Sequence, residues 1–397
     1  MIHKWLTNLS WIKSYLIEAM ILGFLFILAL IVRFSLMHWI SGDYTSFLRP
    51  WMQQIVNGGG FASLGTKIGD YTPPYIYLLT MLSYFPDASA NEPFLAGIKM
   101  ISIGFDLLLM IGIYLNATIW LKSYHRLLPI LVAIGSLFLP TVLINGSMWG
   151  QIDASYTAFS FIALYYLQKE KPFVAAVWFG VAFSFKLQAI FFLPVFMLYF
   201  WYHHRSKIYY VFIVPIVYYG FAIPALIAGR SFLDISTIYL LQTQTYPLLT
   251  LNMPNMYQWF PNQRYDDLSL FAIGLFAGLM AIQWLTMLMQ NLPLKKEQIL
   301  LFTYWSILMA NFFLPAMHER YLFAADVMVI IIALQYGKKY FMILLTQVIS
   351  LLAYAPFIFS QTPIPHDEVA IGFLVTLILA TYWLWTSLKN PIAIKEF

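Results

Sequence analysis

Long runs of apolar residues alternate with short polar stretches along almost the whole chain. A helix needs about 20 mostly apolar residues to cross the hydrocarbon core of a bilayer. The pattern predicts about twelve passes, some of them short, at residues 15–40, 94–120, 127–144, 153–168, 172–185, 187–203, 208–228, 268–290, 298–315, 320–336, 340–359 and 369–388. We therefore predict an all-α polytopic membrane protein with about twelve transmembrane helices.

Composition supports this class and excludes others. Of 397 residues, 61% are hydrophobic and 10% are charged, and no segment between passes is long enough for a soluble domain. We predict one membrane-embedded domain over residues 1–397. The pI near 9.0 could suggest nucleic acid, but the basic residues lie between passes, so we expect no nucleic-acid partner. Without cysteine, disulfides, thiolate metal sites and thiol catalysis are excluded.

The distribution of charge predicts the topology. Basic residues concentrate in alternate loops, such as those holding Lys122 and Lys207, and the other loops hold most of the acids. The positive-inside rule then predicts an integral protein of the cytoplasmic (inner) membrane, with both termini cytoplasmic and the acidic loops outside. The first apolar run lacks a small-residue cleavage site, so we do not expect it to be a cleaved signal. The two short arms around Lys186 could instead form one bent helix, which would reverse every later pass.

The first external loop, residues 41–93, carries Asp43 and Asp70, each followed by tyrosine, Tyr44 and Tyr71. A carboxylate at this boundary can act as a general base toward a hydroxyl, orient sugar hydroxyls or bind a cation. The alternative is that both are solvated loop acids that cap helices. The same loop predicts a short amphipathic helix near Trp51 and a second apolar piece after the double proline, both at the membrane interface.

Two further groups could bind phosphate. Lys186 lies inside an apolar hairpin, where a lipid phosphate could be its partner; alternatively it extends to the headgroups. His318, Glu319 and Arg320 follow one another at an external turn and suit phosphate or pyrophosphate. The alternative for this turn is an Arg–Glu pair that anchors a helix end. A zinc site is disfavoured because no second histidine has the usual spacing.

Two polar stretches could either bind substrate or have a structural role. In Trp149-Gly150-Gln151-Ile152-Asp153, Gln151 and Asp153 could reach a substrate, although capping of the following helix is the favoured role of Asp153. In the second long external loop, residues 229–267, Asn255 belongs to a polar and aromatic stretch of the kind that packs on sugars. The alternative there is a set of ordinary interfacial aromatic residues.

These motifs, in this order, resemble the GT-C superfamily of polytopic glycosyltransferases. The resemblance is closest to bacterial proteins similar to GPI mannosyltransferase II, and more distant to the lipid-linked-oligosaccharide glucosyltransferases of the endoplasmic reticulum. The matching stretches are Gly42-Asp43-Tyr44 with Trp51, Gly69-Asp70-Tyr71-Thr72-Pro73-Pro74, Trp149-Gly150-Gln151-Ile152-Asp153, Ser184-Phe185-Lys186-Leu187-Gln188 through Pro194, and His318-Glu319-Arg320-Tyr321. They cover most of the chain, and their combination is specific for the superfamily but not for a substrate.

The resemblance implies a GT-C-like module over residues 1–267, with the catalytic loop at 41–93 and C-terminal helices at 268–397. It implies a sugar donor carried on a polyprenyl phosphate. Asp43 matches the general base, and Asp70 matches a second loop acid that shapes the acceptor site. The expected phosphate-binding residues are Lys186, His318 and Arg320, and the expected substrate-binding residues are Tyr44, Tyr71, Gln151, Glu319 and Asn255. No cofactor is required, and a divalent metal is compatible with the mechanism but not indicated.

The implied function is an inverting glycosyltransferase that moves one hexose, such as mannose or glucose, on the extracytoplasmic face. The acceptor would be a hydroxyl of a glycan, a glycolipid or a protein. The chain lacks the adjacent acids of protein mannosyltransferases and the large soluble C-terminal domain of oligosaccharyltransferases, which favours transfer of a single sugar. A transporter or flippase of lipid-linked sugars is the main alternative, and an inactive scaffold subunit is another.

Overall fold

The computed structural model describes residues 2–390 apart from 86, 88, 89 and 338, and for residues 2–14 and 91 it describes the backbone alone. The described chain is almost entirely helical. The helices are α1 Ile2–Leu36, α2 Arg49–Asn57, α3 Pro73–Leu82, α4 Asn91–Trp120, α5 Leu128–Ser136, α6 Pro140–Leu143, α7 Asp153–Gln168, α8 Pro172–Phe185, α9 Leu193–His203, α10 Ile213–Ile227, α11 Phe232–Gln244, α12 Tyr265–Met289, α13 Ile299–Phe313, α14 Phe323–Tyr336, α15 Tyr340–Phe359 and α16 His366–Lys389. Two short parallel strands, β1 Thr250–Leu251 and β2 Met317–His318, join distant loops. The predicted all-α class is confirmed.

The structure bears out only part of the predicted set of crossings by helix length and composition. Among the described residues, six helices are long and apolar enough to cross a membrane: Tyr15–Leu36, Glu92–Trp120, Arg205–Ile227, Asn262–Met289, Tyr340–Phe359 and His366–Lys389. A seventh crossing results if the bent pair Leu128–Ser136 and Pro140–Trp149, which meets at 48°, is one span. Other predicted passes are present as shorter helices, such as α7 with 16 residues and α8 with 14. Twelve crossings are therefore not confirmed.

Several of the long helices expose apolar side chains. Phe24 on α1 is 64% exposed, Ile227 on α10 is 82% exposed and Met289 on α12 is 83% exposed. Apolar surface of this extent on helix faces suits contact with lipid better than contact with water. By length, composition and exposed surface, the chain is a helical protein of which several helices could span a membrane. The predicted location of both termini falls on residue 1 and residues 391–397, outside the described residues.

The segment around Lys186 is a hairpin of two helices. Helix α8 ends at Phe185, and Lys186 has an extended backbone with φ −150° and ψ 142°. A 3-10 turn, Leu187–Phe192, leads into α9. Phe179 of α8 stacks on Phe196 of α9 with 4.5 Å between ring centroids, so the two arms run back along each other. The alternative of one long bent helix is thus wrong.

The ends of the helices gather in two layers. In one layer, Lys186 at the end of α8 contacts Asp153 at the start of α7. In the opposite layer, Trp120 at the end of α4 donates to Gln168 at the end of α7 over 2.6 Å. Helices α4, α7 and α8 pack side by side between the layers. The polar layer that includes Lys186 holds the candidate site.

Candidate functional site

A cavity of about 890 Å³ opens in the layer that includes Lys186. Its walls come from the first loop, from the turn before α7, from the α8–α9 turn, from the segment 242–265 and from the loop 314–321. Eight of the predicted site residues line it: Asp43, Asp70, Tyr71, Gln151, Lys186, His318, Glu319 and Arg320. Residues far apart in the sequence therefore meet in one space.

Asp43 is held by one of its two carboxylate oxygens. Trp149 Nε1 donates to Asp43 Oδ2 over 2.9 Å, and Gln151 Nε2 donates to the same oxygen. Asp43 precedes the helical turn Tyr44–Leu48 but makes no capping hydrogen bond to it. Within the described part of the chain, Asp43 Oδ1 has no hydrogen-bond partner. The carboxylate is therefore fixed in direction and presents an unpaired oxygen at the cavity wall.

The turn that holds Asp43 owes its shape to Gly150. The π-helical stretch Ile144–Trp149 ends at Gly150, whose φ of +84° suits glycine. Ser41 Oγ donates to the Trp149 carbonyl over 2.9 Å and ties the end of the first span to this turn. The Trp149 side chain is fully buried and stacks on Phe357 at 4.7 Å. The two donors to Asp43 thus come from a rigid element.

The Asp153 carboxylate contacts both cations of the cavity, Lys186 and Arg320. Its side chain is fully buried, and Lys186 Nζ lies 2.7 Å from Oδ1. Asn145 Nδ2 donates to Oδ2 over 2.8 Å, and Arg320 Nε lies 3.6 Å from the same oxygen. The favoured capping role of Asp153 is wrong, because Ile152 occupies the cap position of α7 and the Asp153 carboxylate contacts Lys186 and Asn145 instead. Asp153 instead neutralises charge that burial makes costly.

Lys186 is turned into the protein. Its side chain is 6% exposed, so the alternative of a lysine that extends to the headgroups is wrong. Its Nζ lies 5.3 Å from the centroid of the Tyr71 ring, a cation–π arrangement. The Tyr71 hydroxyl donates to Gln151 Oε1 over 3.1 Å. Tyr71 therefore connects the cation to the same amide that holds Asp43.

Arg320 is held by acids and by an aromatic face. Its Nη1 lies 2.7 Å from Glu319 Oε1, and its Cζ lies 5.3 Å from the centroid of the Trp149 ring. Burial opposes the charge of Arg320, but the nearby Glu319, Asp43 and Asp153 carboxylates raise its pKa well above the usual value. The proposed Arg–Glu pair exists, but it lies in the cavity wall and is part of the same cluster.

His318 and Glu319 are positioned by backbone pairing between two loops. Strand β2, which contains His318, pairs with β1, and the Glu319 amide donates to the Leu251 carbonyl over 3.0 Å. His318 Nδ1 lies 3.7 Å from Glu319 Oε2. Burial acts to raise the pKa of Glu319, but the His318 hydrogen bond and the Arg320 charge outweigh it and lower the pKa. Glu319 is therefore held as a carboxylate beside both basic groups.

Formal charges in the buried cluster nearly cancel. Asp43, Asp153 and Glu319 oppose Lys186 and Arg320, which leaves one negative charge when His318 is neutral and none when it is protonated. The acids thus orient the cations without leaving a large positive excess. An anion in the cavity would be recognised by placed donors more than by net charge.

Asp70 has a different environment from Asp43. Its side chain is 45% exposed and lies 3.9 Å from Lys67 Nζ, which is 49% exposed. A pair this open to solvent contributes little to stability. Asp70 lies at the cavity rim, and the interpretation as a solvated loop acid still applies to it.

Two predicted substrate-binding residues are not brought to the cavity wall. Tyr44 is buried in a cluster with Phe94 of α4, at 5.7 Å between ring centroids. Asn255 is also buried; its Oδ1 accepts from the Tyr257 amide, and its Nδ2 donates to the Asn311 carbonyl. Both side chains stabilise loops that lie next to the cavity.

Sequence reasoning did not assign Trp149 as a donor to Asp43, nor Asn145 as a support of Asp153. Trp149 and Gln151 bracket a glycine in a polar turn, which is the signal that could have identified the pair. No local signal predicts the contact between Asn145 and Asp153. In the ranges that the structure describes, no group of three or more His, Asp or Glu side chains is arranged to hold a metal ion.

Comparison of the sequence with models of known protein families finds no match, and comparison with curated proteins finds no significant match. The interpretation of the cavity therefore rests on the geometry of its residues.

Proposed function

We propose that the cavity is the active site of an inverting glycosyltransferase that takes one hexose, such as mannose or glucose, from a polyprenyl-phosphate donor. The observation that carries this proposal is the unpaired Oδ1 of Asp43 in the same cavity as Lys186 and Arg320. A fixed carboxylate with one available oxygen suits a general base. A buried lysine, a mostly buried arginine and a histidine suit a lipid-linked phosphate.

The reaction needs no protein nucleophile. Asp43 Oδ1 accepts the proton of an acceptor hydroxyl as the hydroxyl oxygen forms a bond to the anomeric carbon. The bond from that carbon to the phosphate oxygen breaks, its electron pair leaves with the phosphate, and the configuration inverts. The phosphodiester becomes a monoester, and Lys186, Arg320 and the His318 side chain stabilise the growing negative charge.

The donor would reach the cavity from the bilayer. Apolar lining residues such as Ile190 and Ile273 are 41% and 49% exposed, on the α8–α9 turn and on α12. An isoprenoid chain could lie along them while its phosphate meets Lys186. The charge distribution along the chain favours the extracytoplasmic face for the site. In a bacterium the carrier would be undecaprenyl phosphate.

The test is the Asp43→Asn variant in membranes supplied with polyprenyl-phosphate mannose or glucose. The substitution keeps size and removes basicity, so we expect turnover to fall about 100-fold or more. Binding of polyprenyl phosphate should be retained, because Lys186 and Arg320 are unchanged. Turnover is measured by release of radiolabelled sugar from the donor.

Asp266→Asn is the matched control, since Asp266 is an exposed acid in the first turn of α12 and does not line the cavity. It should turn over like the unsubstituted protein. Near-normal turnover of Asp43→Asn would refute the assignment of the base. If the unsubstituted protein moves the lipid-linked sugar across the bilayer without cleaving it, the chain is a transporter.

A further inference from the structure

Positive charge is concentrated on three loops in the layer opposite the cavity. These loops follow the ends of α7, α9 and α12, and we call them the basic corner. Their exposed basic residues are Lys169, Lys171, Arg205, Lys207, Lys295 and Lys296. The same loops contain two acids, Glu170 and Glu297. The basic corner therefore carries an excess of positive charge.

Two contacts hold the three loops of the basic corner together. Lys296 Nζ lies 2.5 Å from Glu170 Oε1, which joins the loop before α13 to the α7–α8 turn. His203 Nε2, at the end of α9, lies 2.6 Å from the Leu294 carbonyl oxygen in the loop before α13. Of the six basic side chains, Lys296 alone forms an ion pair with a residue that the structure describes. The other five cations are available to an anion from outside the protein.

An aromatic pair places Arg205 at the depth of the lipid headgroups. Arg205 Cζ lies 4.3 Å from the centroid of the Trp201 ring, and that ring meets the Trp284 ring of α12 edge-on at 6.0 Å. Tryptophan is typical of the boundary between lipid and water. The exposed guanidinium of Arg205 is therefore held where the phosphates of a bilayer are expected.

An apolar stripe begins beside the basic corner and follows α10. Phe212, just before the helix, is 67% exposed, and Ile216 and Ile223 are 68% and 51% exposed. Their spacing places them on one face of a helix. Phe173 of α8 lies 5.6 Å from Tyr210 between ring centroids, so the start of α8 flanks the same end of the stripe. Unpaired cations and exposed apolar surface thus lie next to each other.

We propose that the basic corner binds the headgroup of an anionic phospholipid, with an acyl chain along the apolar stripe of α10. Arg205 and Lys207 precede α10 and hold the headgroup phosphate, because charge-assisted hydrogen bonds to phosphate are strong. Basic residues near the ends of membrane helices recognise anionic headgroups in this way. The proposal does not depend on the reaction in the cavity, which lies in the opposite layer.

Other ligands fit this surface less well. A soluble phosphate would meet the cations but leave the apolar stripe uncovered. A zwitterionic phospholipid would cover the stripe but has no net charge to balance the unpaired cations. The positive-inside rule alone explains cations in this layer, but it predicts no difference in lipid binding between one pair of cations and another.

The test is native mass spectrometry of the full chain in detergent, titrated with phosphatidylglycerol or with phosphatidylcholine. We expect phosphatidylglycerol to bind about tenfold more tightly or better. The double variant Arg205→Gln with Lys207→Gln should weaken its binding about 10- to 30-fold, since each basic residue near an anionic lipid contributes about a fivefold change. Glycerophosphoglycerol, the headgroup without acyl chains, should not compete with the intact lipid.

Lys122→Gln with Arg126→Gln is the matched control. This pair is also one lysine and one arginine on an exposed loop of the same layer, outside the basic corner, and Arg126 already has an acidic partner in Glu18. Its loss should leave binding of phosphatidylglycerol nearly unchanged. Thermal unfolding in lipid-free detergent, which should be similar for both double variants, reports their folding.

Three outcomes would overturn the proposal. The first is equal binding of phosphatidylglycerol and phosphatidylcholine to the unsubstituted protein. The second is an equal loss of binding in the two double variants, which would mean that only the overall charge of the layer matters. The third is competition by glycerophosphoglycerol as strong as that of the intact lipid, which would assign the cations to a soluble phosphate.

Discussion

At the residue scale, Asp153 determines how the cavity can hold buried cations. It lies between Lys186 and Arg320, has no exposure to solvent and receives a third contact from Asn145. Taking two charges out of water is expensive, and their attraction repays the cost only when the geometry is good. Loss of one partner therefore leaves an uncompensated charge. The contribution of the Lys186–Asp153 pair to stability can therefore be measured separately from its contribution to donor binding.

We expect Lys186→Met to destabilise the protein by about 3–5 kcal/mol, because Asp153 would remain buried without its main partner. The double variant Lys186→Met with Asp153→Asn should recover most of that loss, since the charge is removed on both sides. Unfolding in detergent micelles measures both effects. Binding of polyprenyl phosphate should be lost in both variants, because each lacks the ammonium group.

Arg264→Met provides the comparison for an exposed pair. Arg264 and Asp267 lie 3.3 Å apart but are 55% and 64% exposed, so its loss should cost less than about 1 kcal/mol. If Lys186→Met is equally mild, the buried pair is not what stabilises this layer. If the double variant binds polyprenyl phosphate normally, Lys186 is not a phosphate ligand.

The residues that the sequence could identify are those whose chemistry is conspicuous in an apolar chain. Asp43, Lys186 and Arg320 stand out because an ionisable group near a membrane is costly unless it has a use. Asp153 was assigned wrongly because a first-turn acid has the same local pattern whether it caps its helix or pairs with a distant cation. The buried contacts of Asn255 are equally non-local. Local sequence thus predicts which residues are charged and costly, but not their partners.

At the element scale, the turn from Ile144 to Gln151 positions the proposed base. Lys99 of α4 is fully buried and donates to the Met148 carbonyl from beneath the turn. The Gln151 amide donates to the Asn145 carbonyl over 2.9 Å and closes the turn. Trp149 and Gln151, the two donors to Asp43, are therefore fixed by contacts with three other segments. A small change in this turn should therefore lower turnover by more than the accompanying loss of stability would.

Gly150→Ala tests this element. A Cβ at this position would lie 3.3 Å from Ile98 Cγ2 and would hold a side chain at φ +84°, which costs about 1–2 kcal/mol. We expect the turn to shift and release Trp149 or Gln151 from Asp43, so that turnover of lipid-linked sugar falls at least tenfold, by roughly 1.4 kcal/mol of barrier. Binding of polyprenyl phosphate should change little.

Gly229→Ala is the matched control, since Gly229 has φ +106° with nothing within 4 Å of a Cβ and lies outside the cavity. It should lose a similar amount of stability by thermal unfolding while keeping its turnover. Equal losses of turnover in both variants would mean that the effect of Gly150→Ala is general destabilisation.

The positions of the helices were more predictable from the sequence than which of them could cross the membrane. The apolar runs at α7, α8 and α14 were located from sequence, with bounds close to those observed. The sequence does not predict whether each of these helices crosses the whole membrane. A run of about 14 apolar residues is equally typical of a helix buried in a protein core. Helix α13 illustrates the reason: nearly all its side chains are buried, so its uniform hydrophobicity reflects neighbours and not lipid. The π-helical turns have no sequence signal of their own.

At the scale of the whole molecule, a fully buried ion pair joins the first span to the bundle. Arg33 of α1 lies 3.2 Å from Asp106 of α4, and both side chains are fully buried. Arg33 Nη1 also donates to the Leu137 carbonyl over 2.7 Å. Few residues of the Tyr15–Leu36 part of α1 are buried, so this contact is one of those that hold the end of the span, and with it Asp43, against the bundle. The pattern of hydrophobic residues cannot predict the Arg33–Asp106 pair, because such a pattern indicates which residues are exposed and not which residues are paired.

The two layers of helix ends make the orientation of the whole molecule testable. Gln263 is exposed in the turn just before α12, near the cavity residues Asn262 and Tyr265. Lys122 is exposed just beyond the end of α4, in the opposite layer. The chain contains no cysteine, so Gln263→Cys and Lys122→Cys each create a single reactive thiol. A membrane-impermeant maleimide applied to intact cells then reports which layer faces outside.

We expect Gln263→Cys to be labelled in intact cells and Lys122→Cys only after permeabilisation, because the basic loops should face the cytoplasm. This outcome fits the proposed donor, since a sugar on a lipid carrier can be presented at the outer face of the membrane. The reverse pattern would place the cavity in the cytoplasm. A soluble activated sugar could then be the donor, with Asp43 still acting as the base. The apolar lining near Ile190 and Ile273 would no longer be needed to hold an isoprenoid chain. Labelling of both positions in intact cells would contradict the two-layer arrangement itself.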